Sequence, residues 1–271
     1  LSEPIDDTYL IEWNFGDGNT SSVANPSHLY AAAGTYDVKL VTETTNGCID
    51  SVTKAFMVYR KPIAGFEFDS ICDGGDITFT NTSFNGVISS HKWYFGDGDS
   101  AMIANPRHMY DAFGTYNTTL IVTTDDGCKD TTTGAPVVHP LPNTAFTTND
   151  VCLYDSLELT NTSTIATGSI DAYDWQYSDG QSSTLENPIR KFVRAGTFKV
   201  TLTTTSDFGC ETSADTLINI NDVPQATFEV DSNCYGFNTP FTNRSEIDNG
   251  SVTGYNWTFG DGNSSTNQSP F

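Results

Sequence analysis

Positive charge is scarce in this chain. Lys and Arg together number 12 against 34 Asp and Glu, giving a formal net charge of −22. Phosphate backbones and anionic headgroups need a basic face, so nucleic acid and an anionic membrane surface are excluded as expected partners. No run approaches the roughly 18 apolar residues of a membrane span, so direct membrane insertion is not expected. The opening ten residues have neither a basic start nor an apolar stretch, and no signal peptide is expected within them. Sustained helical periodicity is missing throughout. Also missing are Gly-x-Ser-x-Gly, His-Glu-x-x-His, the P-loop and the dinucleotide fingerprint, so no catalytic residue is expected and the chain reads as a non-enzyme. Aromatics, by contrast, make up 12% of the 271 residues, which argues against disorder despite the charge.

What is present repeats. Trp13-Asn14-Phe15-Gly16-Asp17-Gly18 returns as Trp93-Tyr94-Phe95-Gly96-Asp97-Gly98, then as Trp175-Gln176-Tyr177-Ser178-Asp179-Gly180 and Trp257-Thr258-Phe259-Gly260-Asp261-Gly262. The intervals are 93 − 13 = 80, 175 − 93 = 82 and 257 − 175 = 82. Asn25-Pro26-Ser27-His28-Leu29-Tyr30 keeps the same beat as Asn105-Pro106-Arg107-His108-Met109-Tyr110 and, more weakly, as Asn187-Pro188-Ile189-Arg190-Lys191-Phe192. A fixed period of this size marks tandem copies of a small self-contained domain.

Pro62, Pro142 and Pro224 each open a new copy. They place domains at 1–60, 61–140, 141–222 and 223–271. By this alignment the first copy lacks its opening strands and the last its closing strands, and the chain is expected to be a window onto a longer array.

Within a copy the period is two. Asp76-Ile77-Thr78-Phe79-Thr80-Asn81 and Thr197-Phe198-Lys199-Val200-Thr201-Leu202 alternate apolar and polar residues of the types that favour a pleated, half-buried surface. Asn46-Gly47, Asp126-Gly127 and Phe208-Gly209 punctuate paired runs as hairpin turns. The expectation is about seven short antiparallel strands per copy: an all-β, immunoglobulin-like sandwich. The tryptophans Trp13, Trp93, Trp175 and Trp257 fit its buried central aromatic. Asp17, Asp97, Asp179 and Asp261 fit a tight turn in which the carboxylate accepts backbone N–H groups.

The ordered set Trp-x-Phe-Gly-Asp-Gly, Asn-Pro-x-His-x-Tyr, Gly-Thr-Tyr-x-Val-x-Leu closely resembles the PKD (polycystic kidney disease) domain, and the resemblance covers nearly the whole chain. The cysteine-bearing variant looks like the PKD repeats of secreted Bacteroidota surface adhesins, some exported by the type IX system. The resemblance implies tandem sandwiches arranged as an elongated rod at the cell surface or outside the cell. The role it implies is a non-catalytic stalk segment of an adhesin or filament. The alternative is an accessory spacer of a secreted hydrolase that binds polysaccharide or protein. The expected partners are neighbouring repeats of the same chain, with self-association into fibres or a surface ligand beyond them. The third copy departs from the pattern at Ser178, Arg190 and Phe192, so the histidine is dispensable and a poor candidate for chemistry.

Six cysteines fall into two classes: Cys72, Cys152 and Cys234 before the second strand, and Cys48, Cys128 and Cys210 after the last hairpin turn. Regular placement without Cys-x-x-Cys points to disulfides in an oxidising compartment. The two classes lie at opposite poles of such a sandwich, which favours Cys72–Cys210 between copies. The alternative, Cys72–Cys128 and Cys152–Cys210 within copies, stays open. No cofactor is expected; Ca²⁺ is the one metal candidate, at Asp97, Asp99 and Asp126. Asp-Ser/Thr-x sequences, similar to Bacteroidota O-glycosylation sites, mark Ser51, Ser70, Ser100, Thr131, Ser156 and Thr216 as modification candidates. His91 and His139 are isolated in sequence and read as surface residues.

Overall fold

The computed structural model describes residues 9–271, with Tyr9 described through its backbone only. All regular structure among them is β. Two compact units divide at residues 138 and 139, and each is described by itself.

In the first unit, the residue 61–140 copy shows both layers of a sandwich. Its main sheet runs in the order Ser100–Ala101, Ile88–Tyr94, Thr118–Thr124, Lys129–Gly134, all antiparallel. Trp93 lies opposite Leu120 across the central pair. The Thr118–Thr124 strand alternates strictly between buried and half-buried, with Leu120 and Val122 facing inward. The facing layer is made of short pieces. Asp76–Thr78 pairs with Arg107–Met109, and Phe66–Glu67 with Thr80–Asn81. Ile77 and Phe79 from this layer meet Trp93, Phe95 and Leu120 in one core, and Trp93 and Phe79 are fully buried. The period-two reading of Asp76–Asn81 therefore picked the inward side chains correctly. The remainder of this unit holds the four-stranded sheet of the first copy, ordered Thr20–Ser21, Tyr9–Asn14, Gly34–Thr44, Ile49–Val58.

In the second unit, the residue 141–222 copy repeats the plan with longer strands. Gly196–Ser206 pairs with Ile170–Tyr177 on one side and Glu211–Asn221 on the other. Trp175, Leu157, Leu159 and Leu202 form the fully buried centre. Beyond residue 222, Phe228–Val230 pairs with Phe241–Asn243, and Trp257–Thr258 with Ser264–Ser265.

A pairing in the third copy departs from the antiparallel expectation. Val151–Cys152 runs parallel to the end of Glu211–Asn221, with Val151 opposite Ile220 and Cys152 opposite Asn221. The opening strand first pairs with Thr160–Asn161 through Phe146–Thr147, then crosses to the other sheet. That crossing splits it into two-residue pieces too short to register as alternation.

The last hairpins close as expected. Gly47, Gly127 and Gly209 have φ of 77°, 82° and 78°. Each donates its N–H to the carbonyl three residues earlier, on Thr44, Thr124 and Ser206. Only glycine adopts this conformation without strain, which fixes its place in all three turns.

Candidate functional site

The recurring polar residues converge at one place in each of the first three copies. In the 61–140 copy Gly96 has φ +93°, and a Cβ there would lie 2.8 Å from the Asn117 carbonyl oxygen. Glycine is required by both the dihedral and the close approach. The turn it opens presents Asp97, whose Oδ1 accepts the Asp99 N–H at 3.0 Å. Its Oδ2 lies 2.6 Å from His108 Nε2. The His108 ring stacks on Phe95, with centroids 4.0 Å apart and planes at 5°, and meets the edge of Tyr110. Tyr110 in turn donates to the Phe95 carbonyl at 3.0 Å and contacts Thr118 Oγ1. Turn, aromatic strand and facing strand are thus clasped by one chain of contacts.

The other copies show what the clasp requires. Asp17 pairs with His28 at 2.6 Å, and His28 stacks on Phe15. In the third copy Arg190 Nη2 pairs with Asp179, and the guanidinium lies 4.1 Å from the Tyr177 centroid and 4.4 Å from that of Phe192. Ser178 replaces the first glycine there, donating its N–H to the Lys199 carbonyl and accepting the Lys199 N–H on Oγ. In the fourth copy Asp261 accepts the Asn263 N–H and side-chain amide. A flat nitrogen-bearing side chain, laid against an aromatic face and bonded to the turn carboxylate, serves equally as His or Arg, which is the behaviour of a structural pair.

The electrostatics agree. The hydrogen bond from His28 holds the Asp17 carboxyl down at about 2. For Asp97 and Asp179 burial opposes ionisation, but the hydrogen bonds from His108 and Arg190 and from the turn amides outweigh it, and both carboxyls fall below their ordinary value. Asp130 is held at about 2 by the Ala64 N–H first and by Lys61 second. Those contacts, at 2.9 and 2.7 Å, fasten the start of the copy to its last strand. In the third copy the same tie is made by Thr212, which donates to the Pro142 carbonyl at 2.7 Å and meets Thr144 Oγ1.

Of the calcium candidates, Asp97 and Asp99 come together with His108, their ligand atoms within 4.8 Å of one another, and Asp126 does not join them. Both Asp97 oxygens already serve His108 and the Asp99 N–H. This donor set falls well short of the six to eight oxygens calcium takes. Ser51, Ser70, Ser100, Thr131 and Ser156 are exposed, whereas Thr216 sits half-buried on the inward-facing register of Glu211–Asn221.

Cys72 and Cys210 are disulfide-bonded, and Cys48, Cys128, Cys152 and Cys234 are free thiols. The within-copy alternative, which needs Cys128 and Cys152, is therefore not the pairing present. Its geometry explains why. Cys152 lies beside Asn221, the last residue of an eleven-residue strand, and Cys210 precedes Glu211, the first. At about 3.3 Å per residue over eleven steps the two are roughly 36 Å apart, against a disulfide's Cα reach of about 7 Å.

Several contacts had no local signature. The indole N–H of Trp93, Trp175 and Trp257 donates to the carbonyl ten residues on, at Ile103, Leu185 and Asn267. The Asn of Asn-Pro is a cap: Asn105 and Asn187 accept the backbone N–H of Asn81 and Asn161. Asn81 and Asn161 in turn accept the N–H of Ser83 and Ser163. His91 is half-buried and bonded to Asn81, and His139 stacks on Phe208, so neither is an isolated surface residue.

A family model described as the PKD domain matches residues 1–58, 59–138 and 135–219. The chain belongs to the PKD domain family. Among curated proteins it is 32% identical over 125 residues to the pre-pro-metalloprotease PrtV of Vibrio cholerae, covering 44% of this chain and 13% of that protein. It is 38% identical over 71 residues to a microbial collagenase of Vibrio alginolyticus, covering 25% and 9%. The chain thus spans a small part of the curated relatives it matches. Among solved structures, the PKD1 domain of PrtV is 36% identical, covering 29% of this chain and 96% of that one, with a TM-score of 0.27.

Proposed function

We propose that this PKD array is a non-catalytic spacer segment of a long extracellular protein, stiffened by a Cys72–Cys210 link between its second and third copies. The observation that carries this reading is the His-to-Arg exchange at the clasp. The motif residues are each engaged inside their own copy, and the exchange keeps the hydrogen bond to the turn carboxylate while discarding the imidazole. The disulfide-bonded state of Cys72 and Cys210 supports both the oxidising location and the link. The finer assignment is a stalk of a surface adhesin or filament, with O-glycans on the exposed candidates Ser51, Ser70, Ser100, Thr131 and Ser156. The acidic, hydroxyl-rich surface supports it by discouraging edge-to-edge pairing.

An accessory role beside a hydrolase is the second reading, favoured by the similarity to stretches of a metalloprotease and a collagenase. Small-angle scattering of the oxidised chain tests the spacer reading. A compact globule of this length has a radius of gyration of about 18 Å. The proposal expects a value well above it and a rod-like distance distribution; a value near 18 Å overturns it.

A further inference from the structure

The main sheets of the second and third copies each turn one face away from the core, and strand register puts equivalent residues at equivalent points on the two faces. In the second copy Lys92 lies across from Ile121, and Lys129 across from Thr123, two residues further along the same strand. In the third copy Asp174 lies across from Thr203, and Glu211 across from Thr205, in the same relation. Lys92 is thus exchanged for Asp174 and Lys129 for Glu211, at one interval: 174 − 92 = 82 and 211 − 129 = 82. All four residues are exposed.

The two faces carry opposite unmatched charge. Acidic residues outnumber basic ones 34 to 12 in the chain, yet the outward positions of the second-copy sheet hold two lysines and no Asp or Glu. Among the described ion pairs, none includes Lys92, Lys129, Asp174 or Glu211. Lys92 lies 4.9 Å from the Tyr94 ring centroid instead. Asp174 and Glu211 accept hydrogen bonds from the neutral side chains of Gln176 and Thr205. On the third-copy face Lys199 is matched by Asp215 at 3.3 Å, which leaves Asp174 and Glu211 in surplus. Two strands and two residues separate the members of each pair, so both pairs span about 12 Å. A lysine pair and a carboxylate pair of equal span are complementary surfaces.

We propose that the outward sheet face of the second copy in one chain packs sideways on that of the third copy in another chain, with Lys92 and Lys129 set against Asp174 and Glu211. The occupant is a second molecule of this chain because the matching carboxylate pair is carried by the chain itself. Unlike faces meet, so the contact is heterologous. At physiological ionic strength the repulsion between two chains of charge −22 is screened beyond about 8 Å, whereas charges brought into contact are screened much less. The contacting faces therefore decide the outcome. Ser100 and Thr131 lie on the second-copy face, so the contact is made by chains that carry no glycan there. The contact goes beyond the spacer reading and does not depend on the Cys72–Cys210 link.

Sedimentation velocity of the unglycosylated 271-residue chain, from low micromolar to near-millimolar concentration at physiological salt, tests the contact. Reversible, concentration-dependent association is expected. Lys92→Glu with Lys129→Glu, and separately Asp174→Lys with Glu211→Lys, should each weaken it about tenfold or more. The second pair of substitutions brings the net charge to −22 + 4 = −18, so a loss there is not general repulsion. An equimolar mixture of the two variants should restore association, because one chain then offers lysine faces and the other acidic faces. That recovery also shows that both variants are folded. A chain that stays monomeric throughout overturns the inference. So does association that either variant leaves unchanged, and so does a mixture that fails to recover. The radius of gyration at dilution reports on the spacer reading separately.

Discussion

Asp97 and His108, eleven residues apart, lie 2.6 Å from each other with the imidazole flat on Phe95. The pair joins the turn of one sheet to a strand of the other. Both side chains are largely shielded, so their contact is worth more than a surface ion pair. His108→Ala is expected to destabilise the second copy by about 1–3 kcal/mol, the range for leaving a shielded charged partner unsatisfied. His108→Arg is expected to restore most of that loss, as Arg190 does in the third copy. Hydrogen exchange resolved to residues 61–138 is the measurement, and equal loss in both variants would refute the structural assignment.

Acid sensitivity follows from the carboxylates. Asp17 and Asp130 sit at about 2 in the folded chain against an ordinary 3.8. A depressed folded value means that the stabilisation is fully present above 3.8 and is lost as pH falls through 2. Thermal melts between pH 5 and 2 should show a steep decline in this window. Asp17→Asn and Asp130→Asn should start lower and decline less steeply; parallel curves would contradict the assignment.

The two turn glycines should separate. Gly96→Ala meets both a positive φ and the Asn117 backbone at 2.8 to 2.9 Å, whereas Gly98→Ala meets only a positive φ, with open space beyond. Backbone atoms cannot yield cheaply, so Gly96→Ala is expected to cost more than the ~1 kcal/mol typical of dihedral strain alone. Denaturation midpoints of the two variants test this, and a larger loss at Gly98 would reverse it.

Trp175 is fully buried, and its indole N–H reaches the Leu185 carbonyl at 2.9 Å. Trp175→Ala should destabilise the third copy by about 3–5 kcal/mol. Trp175→Phe should retain most of the packing and lose mainly the hydrogen bond, so its loss should be smaller. Chemical denaturation of the two variants orders them, and equal losses would place the tryptophan outside the core.

Much of this was legible because it is local. The period of 80 to 82 residues, the tryptophan strands and the glycine turns depend on neighbours in sequence; Trp93 and Trp175 are fully buried as the pattern implies, whereas Trp13 and Trp257 are only half-buried. The convergences were not legible. Nothing near Asp97 in sequence distinguishes His108 from Asp126, yet only His108 meets it, because two strands of opposite sheets bring them together. The parallel Val151–Cys152 pairing was hidden for the same reason, since a strand that changes sheets leaves two residues in each. Thr216 matched a short sequence pattern, but its strand register turns it inward.

The most direct test of the stapled spacer is single-molecule extension of the chain held at its two ends, oxidised and then reduced. A Cys72–Cys210 link encloses 210 − 72 = 138 residue steps. These cannot extend while it is intact, which withholds about 480 Å of contour at roughly 3.5 Å per residue. The account predicts that reduction releases this length, and identical full extension in both states would contradict it.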